Sequence, residues 1–200
     1  MENYITAEFT KTRDLFEKIL NDKSLHNNII EAANICIKAL TDGKKIMFCG
    51  NGGSAADSQH LAAELVSKLS YDRPALSALA LTVDTSALTA IGNDYGYLYS
   101  FSRQVDALGN EGDILFGSST SGRSKNIIQA FKSAKAKNII TIGLLGQDGR
   151  DIGEMSDCQI NIPSGETPKI QEGHISVGHI VCALIEDHFF GATHDPKKQK

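Results

Sequence analysis

Residues 45–64, KIMFCGNGGSAADSQHLAAE, decide the fold, because an apolar run, a glycine turn and a helical pattern follow one another without interruption. The run at 45–49 has the composition of a buried strand, and the helical pattern begins at Ser54. A strand, a glycine turn and a helix in this order are typical of phosphate-binding loops, including those of dinucleotide enzymes. His60 and Glu64 lie on the helix behind the turn, so the stretch also raises the question of what binds there.

Outward from this stretch, short apolar runs alternate with helical patterns as far as residue 190. Strands are predicted at 45–49, 76–81, 113–117, 138–144 and 158–162. Helices are predicted at 54–69, 86–91, 98–107, 124–135, 151–155 and 168–190. Because the strands are nearly continuous in apolar residues, the alternation predicts an α/β fold with a five-stranded parallel sheet covered on both faces. Ligands of such sheets bind beyond the carboxyl ends of the strands.

The first 41 residues predict two amphipathic helices, with a break at 21–24 where Ser24 is expected to cap the second helix. Such a hairpin has two faces to bury, so we expect partner subunits to cover one of them. We therefore divide the chain into an N-terminal helical hairpin for oligomerisation at 1–42, an α/β domain at 43–190 and a frayed C-terminal tail at 191–200.

The bulk composition excludes several classes of protein. Of the 200 residues, 41% are hydrophobic and 22% charged, and the net charge of -4 argues against a nucleic-acid surface. No run approaches the roughly 20 apolar residues that span a bilayer, and the polar N-terminus does not resemble a signal peptide. The four cysteines lie in apolar segments without paired spacing. We expect a cytoplasmic protein without disulfides that binds neither membranes nor nucleic acid.

Two strand-to-helix junctions, GNGGS at 50–54 and SSTSGRS at 118–124, are rich in glycine and hydroxyl residues. Free amides at a helix start, the helix dipole and hydroxyl donors together suit a dianionic phosphate. Turn formation and helix capping explain the first junction equally well, whereas the second is dense enough to favour phosphate binding. The chain has no match to G-x-G-x-x-G at the turn and no GK[ST] motif, so we expect a phosphorylated small molecule rather than a nucleotide.

His60 and Glu64, four residues apart, share one helix face about one turn beyond the first junction. Gln171 and His179 on the last helix are eight residues apart, a rotation of about 80°. Imidazole and carboxylate suit zinc, whereas an amide is a less usual ligand. A solvated His–Glu pair is the commoner explanation of this spacing, and metal binding depends on both pairs approaching the same strand ends. His174 ranks behind His179, and three further histidines are expected at the surface: His26, His188 and His194.

Four segments together resemble the phosphoheptose isomerases, which belong to the sugar isomerase (SIS) domain superfamily. They are GNGGSAAD with QHLAAEL, RPALSALALTVDTSALTAIGNDYG, FSRQVDALGNEGDILFGSSTSGRS and KIQEGHISVGHI, and the resemblance covers about residues 4–188. It implies a flavodoxin-like three-layer αβα fold in a homotetramer with active sites at subunit interfaces. It also implies conversion of D-sedoheptulose 7-phosphate to D-glycero-D-manno-heptose 7-phosphate through an enediol. That reaction is the first step towards activated heptose for bacterial surface polysaccharides such as lipopolysaccharide and capsule.

The resemblance assigns site residues by position in this chain. It implies that Glu64 and His179 transfer the protons, in an order that the residues leave open. The implied substrate contacts are Asn51, Gly52, Gly53, Glu64, Asn93, Asp94, Ser119, Thr120, Ser121, Ser124 and Gln171. The implied ligands of one zinc ion per subunit are His60, Glu64, Gln171 and His179.

Two positions depart from the family pattern. Arg123 occupies the place of the asparagine in the usual STSGNS, and Lys169 that of the arginine in RIQE. A guanidinium beside a phosphate strengthens anion binding, yet Arg123 is equally compatible with a position facing solvent or a neighbouring subunit. We expect it to be neutral for catalysis.

The main alternative function is a non-catalytic one. Replication-initiator-associating proteins resemble this fold and act as tetrameric scaffolds, but they lack the glutamate and histidine found here at Glu64 and His179. A sugar-phosphate-sensing regulator is expected to carry a DNA-binding domain, and arabinose 5-phosphate isomerases usually carry extra C-terminal domains. The sequence therefore favours the isomerase.

Overall fold

The computed structural model describes residues 1–70 and 72–191 as an α/β fold. Its strands are β1 (Ile46–Gly50), β2 (Ala78–Ala80), β3 (Ile114–Ser119), β4 (Ile140–Gly146) and β5 (Cys158–Ile162). Its helices are α1 (Glu2–Asn21), α2 (Lys23–Thr41), α3 (Gly53–Val66), α4 (Thr85–Asp94), α5 (Ser102–Leu108), α6 (Lys125–Ala136), α7 (Arg150–Met155) and α8 (Thr167–Glu186). A 3-10 turn spans Tyr97–Tyr99, and a π turn follows α8 at Asp187–Gly191.

All strand pairs are parallel, in the order β2-β1-β3-β4-β5, which confirms the predicted fold class. This is the flavodoxin-like order, and its direction reverses between β1 and β3. Every residue of β1 and β3 is buried, because helices cover both faces of the sheet. Only β2 is clearly shorter than predicted, since three of its residues pair with β1.

Each face of the sheet has its own hydrophobic core. Ile46 and Phe48 of β1 pack on the face that α1, α2, α3 and α8 cover, whereas Met47 and Cys49 pack on the face of α5, α6 and α7. This alternation follows the two-residue period of a strand. The four cysteines are all buried and free, as predicted. No helix in the described part of the chain is long and apolar enough to cross a membrane.

The N-terminal hairpin packs into the first of these cores, where Leu25, Ile29 and Cys36 of α2 are buried. The predicted cap of α2 at Ser24 is wrong. Asp22 caps the helix instead, because α2 begins at Lys23 and the Asp22 carboxylate accepts a hydrogen bond of 3.0 Å from the Leu25 amide. Gly191 is the only residue of the predicted tail at 191–200 that lies inside the described residues, and His194 lies outside them.

Candidate active site

Two loops meet at the point where the strand order reverses. Gly50 at the end of β1 is in register with Ser118 near the end of β3, so the loops that follow the two strands lie side by side. Open α/β sheets bind their ligands at this position. The sequence therefore folds its two junctions rich in glycine and hydroxyl residues into one region.

The first loop needs its glycines. Gly52 has φ 58° and ψ -121°, a conformation that residues with a side chain rarely adopt. A Cβ added to Gly53 would lie 2.6 Å from Nε2 of Gln171, because α8 brings that amide directly over the start of α3. The structure thus brings Gln171 to the substrate loop that was predicted at 51–53.

The second loop gathers three hydroxyl groups at the start of α6. The Ser119 Oγ lies 2.9 Å from that of Ser124 and 3.5 Å from that of Ser121. Ser124 is the residue before α6, so the hydroxyls stand at the positive end of the helix dipole. This arrangement suits a phosphate, as the sequence predicted. Thr120, Ser121 and Arg123 of this loop line a cavity of about 300 Å³.

The Asn51 side chain is part of a hydrogen-bond network that the sequence did not reveal. Its amide forms two reciprocal hydrogen bonds of 2.9 Å with Asn126, a residue in the first turn of α6. The Tyr97 hydroxyl donates a third hydrogen bond of 2.9 Å to the Asn51 Oδ1. The sequence signal was an asparagine directly behind the hydroxyl-rich loop, where it reads as an ordinary residue at a helix start.

His60, Glu64 and His179 converge between α3 and α8. The two imidazole Nε2 atoms are 2.8 Å apart, and the Glu64 Oε1 is 3.0 Å from that of His60. One ligand atom from each residue lies within 4.8 Å of the others. Two imidazole nitrogens and one carboxylate oxygen at these distances suit a divalent metal such as zinc. The Glu64 side chain is 16% exposed and that of His60 is 49% exposed, so solvent reaches the cluster.

The cluster lies farther from the first loop than the sequence suggested. His60 is seven residues beyond Gly53 and Glu64 is eleven, which places them about 10 and 16 Å along α3. The predicted distance of one helical turn was too short, because His60 follows Gly53, the first residue of α3, by about two turns. Gln171 precedes His179 by eight residues, and its amide lies against Gly53 at the start of α3.

The remaining predicted residues have different surroundings. Asn93 and Asp94 end α4 at the surface, where the Asn93 amide donates a hydrogen bond of 2.7 Å to the Asp94 carboxylate. His174 is fully buried, and burial lowers its pKa to about 4. His188 is exposed, as expected. His26 is only half-buried, and its ring contacts the Ile19 carbonyl at 2.8 Å, which corrects its assignment as a plain surface residue.

Asp57 was also missed by sequence reasoning. It precedes His60 by three residues on α3 and therefore shares its helix face. Burial raises the pKa of Asp57 above its ordinary value, although His60 and His179 act in the opposite direction. A carboxyl group with a raised pKa beside two imidazoles marks this face of α3 as a chemically unusual surface.

A buried ion pair closes the end of α3 behind Glu64. The Arg73 guanidinium donates to the backbone carbonyls of Glu64, at 2.7 Å, and Leu65, at 2.8 Å. It also donates to the Glu186 carboxylate at 2.9 Å. Glu186 accepts two more hydrogen bonds, from the amides of Leu69 and Ser70. The pair thus holds the backbone of Glu64 against α8.

The chain is similar to known proteins in both sequence and structure. The SIS domain family matches residues 9–146. The phosphoheptose isomerase of Burkholderia pseudomallei (strain K96243) is 51% identical over 195 residues, which cover 96% of this chain and 99% of that protein. The phosphoheptose isomerase of Clostridium acetobutylicum is 52% identical over 195 residues, which cover 98% and 100%.

A solved structure shows the same likeness in three dimensions. The structure of phosphoheptose isomerase GmhA from Neisseria gonorrhoeae has a TM-score of 0.87 to this chain at 43% identity. The superposition covers 93% of this chain and 98% of that one. Both sequence and structure therefore agree over almost the whole length. The chain belongs to the phosphoheptose isomerase family of SIS-domain proteins.

Proposed function

We propose that this enzyme is an aldose–ketose isomerase that converts D-sedoheptulose 7-phosphate to D-glycero-D-manno-heptose 7-phosphate. One observation carries the proposal. The Glu64 carboxylate and the His179 imidazole lie within 4.8 Å of each other, and both side chains are partly exposed to solvent. Relatives of about 50% identity over nearly the full length are named phosphoheptose isomerases. A non-catalytic scaffold is not favoured, because it has no use for this pair.

The substrate phosphate is assigned to the hydroxyl-rich loop. The Ser119, Ser121 and Ser124 hydroxyls donate to its oxygens at the start of α6, and Thr120 completes the loop. The remaining substrate contacts that we propose are Asn51, Gly52, Gly53, Glu64, Asn93, Asp94 and Gln171. The contact between Gln171 and Gly53 supports the assignment, because it joins α8 to the first loop.

Proton transfer is assigned to Glu64 and His179. Isomerisation requires a base that takes a proton from the carbon beside the carbonyl and an acid that returns it to the neighbouring carbon, through an enediol. Glu64 and His179 divide these duties at C1 and C2. Arg73 holds the backbone of Glu64, which restricts the positions that the carboxylate can reach.

His60, Glu64 and His179 are assigned as zinc ligands, with Gln171 as the fourth and one ion per subunit. The convergence of two imidazoles and a carboxylate supports this assignment. Zinc held there would polarise the carbonyl oxygen and stabilise negative charge beside it. A carboxylate that binds a metal ion is a weaker base, so Glu64 would have to leave the ion before it acts as the base, unless the ion is partly structural.

A homotetramer with active sites at subunit interfaces is supported by apolar side chains left at the surface. Tyr4 and Phe9 on α1 are 71% and 72% exposed, and Tyr95 and Tyr97 after α4 are 53% and 60% exposed. We propose that these side chains lie at subunit contacts, because contiguous exposed apolar patches mark interaction surfaces. We propose that the enzyme works in the cytoplasm and supplies heptose for lipopolysaccharide or capsule.

Incubation with sedoheptulose 7-phosphate, followed by NMR, tests the proposed function. We expect heptose 7-phosphate to form, to stop forming after treatment with a chelator, and to form again when Zn²⁺ is restored. The control is the same protein with Mg²⁺ added back, because magnesium prefers oxygen ligands over imidazoles. Absence of conversion with and without chelator would reject the isomerase function. Full activity in chelator would reject the metal requirement alone.

Replacement of Arg123 by asparagine, the residue usual in the family, tests the phosphate end of the site. Arg123 is exposed beside Thr120 and Ser121, and an exposed charge pair contributes about 0.2–1 kcal/mol. We expect R123N to raise KM by up to about five-fold with kcat unchanged, and the difference to shrink at high salt. The control is R13N on α1, where KM should not change. An unchanged KM in R123N would show that this guanidinium does not serve the phosphate.

A further inference from the structure

We infer that Asn126 is a positioning residue of the isomerase, a buried amide that sets the orientation of the Asn51 side chain towards the sugar. The inference rests on the proposed function, in which Asn51 contacts the substrate. Asn126 itself is 5% exposed and is therefore enclosed by protein. We assign Asn126 no direct contact with the substrate.

Both N–H donors of Asn126 are used within the protein. Its Nδ2 donates one hydrogen to the Asn51 Oδ1 at 2.9 Å and the other to the Ser100 Oγ at 3.2 Å. Its Oδ1 accepts from the Asn51 Nδ2 at 2.9 Å. A primary amide has two N–H donors, so Asn126 has none left for a ligand.

Among residues 1–70 and 72–191, the same accounting leaves one N–H donor on Asn51. Its Oδ1 accepts from both Asn126 and Tyr97, and its Nδ2 uses one of two hydrogens on Asn126. The second N–H of Asn51 remains for an acceptor oxygen, such as a hydroxyl or carbonyl of the sugar. Reversing the Asn51 amide alone would set donor against donor and acceptor against acceptor across the pair, so the two amides can reverse only together.

The pair also connects the two loops of the site. Asn126 lies two residues after Ser124, whose hydroxyl is 2.9 Å from that of Ser119 in the phosphate loop. The start of α6 therefore contacts both loops: Ser124 contacts the second, hydroxyl-rich loop, and Asn126 contacts Asn51 in the first loop. A substrate anchored by its phosphate meets an Asn51 amide of fixed orientation, and misplacement of such a group by about 1 Å costs up to about 100-fold in rate.

A double-mutant cycle tests the inference. The variants are Asn126→Leu, which keeps the size of the side chain without its polar atoms, Asn51→Ala, and the two combined. We expect N126L to lower kcat/KM for sedoheptulose 7-phosphate by about 10–100-fold and to leave the inhibition constant of inorganic phosphate within about two-fold. Because Asn126 acts through Asn51, the double variant is expected to match N51A.

Two comparisons separate positioning from a general structural role. Thr141→Val removes buried hydrogen bonds to Asp157 near the other end of the sheet, and it should leave kcat/KM unchanged. Asn126→Asp keeps the shape but loses both N–H donors, so it should give the same cycle if the leucine variant does not fold. Additive losses in the double variant, or a weaker phosphate inhibition that matches the loss of kcat/KM in N126L, would overturn the inference. Wild-type protein without activity on sedoheptulose 7-phosphate would instead reject the proposed function.

Discussion

Replacement of Glu64 by glutamine is expected to lower kcat by about 10²–10⁴-fold, the usual contribution of a positioned acid–base group. Glutamine keeps the size of the side chain and its place on α3, but it cannot accept a proton at neutral pH. Glu64 is also an assigned metal ligand, so the variant replaces a carboxylate ligand by an amide, which is a less usual one. The measurement is steady-state turnover of sedoheptulose 7-phosphate.

Metal analysis of the same variant separates the two roles of Glu64. His60→Gln removes a metal ligand but no assigned proton-transfer group, so it serves as the matched comparison for metal content. If E64Q retains zinc and has lost turnover, the loss belongs to proton transfer. Glu154→Gln, on an exposed position of α7, controls for the change of charge and should have wild-type activity. Wild-type turnover in E64Q would remove Glu64 from the mechanism.

The second large effect concerns stability. Replacement of Glu186 by glutamine is expected to lower the free energy of unfolding by about 3–5 kcal/mol, because it leaves the Arg73 guanidinium buried without its counter-charge. The side chains of Arg73 and Glu186 are 0% and 1% exposed, so water cannot replace the lost partner. Urea denaturation measures the change. Glu2→Gln, at the exposed start of α1, is the control and should unfold as the wild type does.

The same pair predicts a pH dependence. Burial by itself would raise the pKa of Glu186, but hydrogen bonds from the Leu69 and Ser70 amides and from Arg73 outweigh it and hold the pKa below the ordinary value of 4.5. The unfolded state therefore binds the proton more readily, and the stabilisation is present above about pH 4.5 and is lost as the pH falls through the folded-state value. The stability difference between wild type and E186Q should shrink over that range. A constant difference down to the acid transition would contradict this assignment.

The sheet could be predicted from sequence because its strands are nearly continuous in apolar residues. The five runs were found in the right order, and β5 was predicted at its observed bounds. The end of β2 was not, since pairing with β1 rather than composition ends that strand at Ala80. The cap of α2 was misassigned for a local reason, as Asp22 and Ser24 are both good capping residues and only the helix start distinguishes them.

The candidate site was predictable in its residues more than in its arrangement. Spacing placed His60 and Glu64 on one face, but the estimate of one helical turn understated their distance from the first loop. Asn126 and Arg73 gave no signal, because their roles arise from partners 75 and 113 residues away along the chain. Periodicity reports which face of an element is buried, and it carries no information on which polar atoms meet there.

The buried cysteines can be used to measure local unfolding of the protein. Burial raises the pKa values of Cys49, Cys158 and Cys182 to about 12, so hardly any reactive thiolate forms at neutral pH while the chain is folded. An alkylating reagent must then wait for a transient unfolding event before it can modify these thiols. The rate of labelling of each cysteine, measured by mass spectrometry, therefore reports how often the hydrophobic core around it opens.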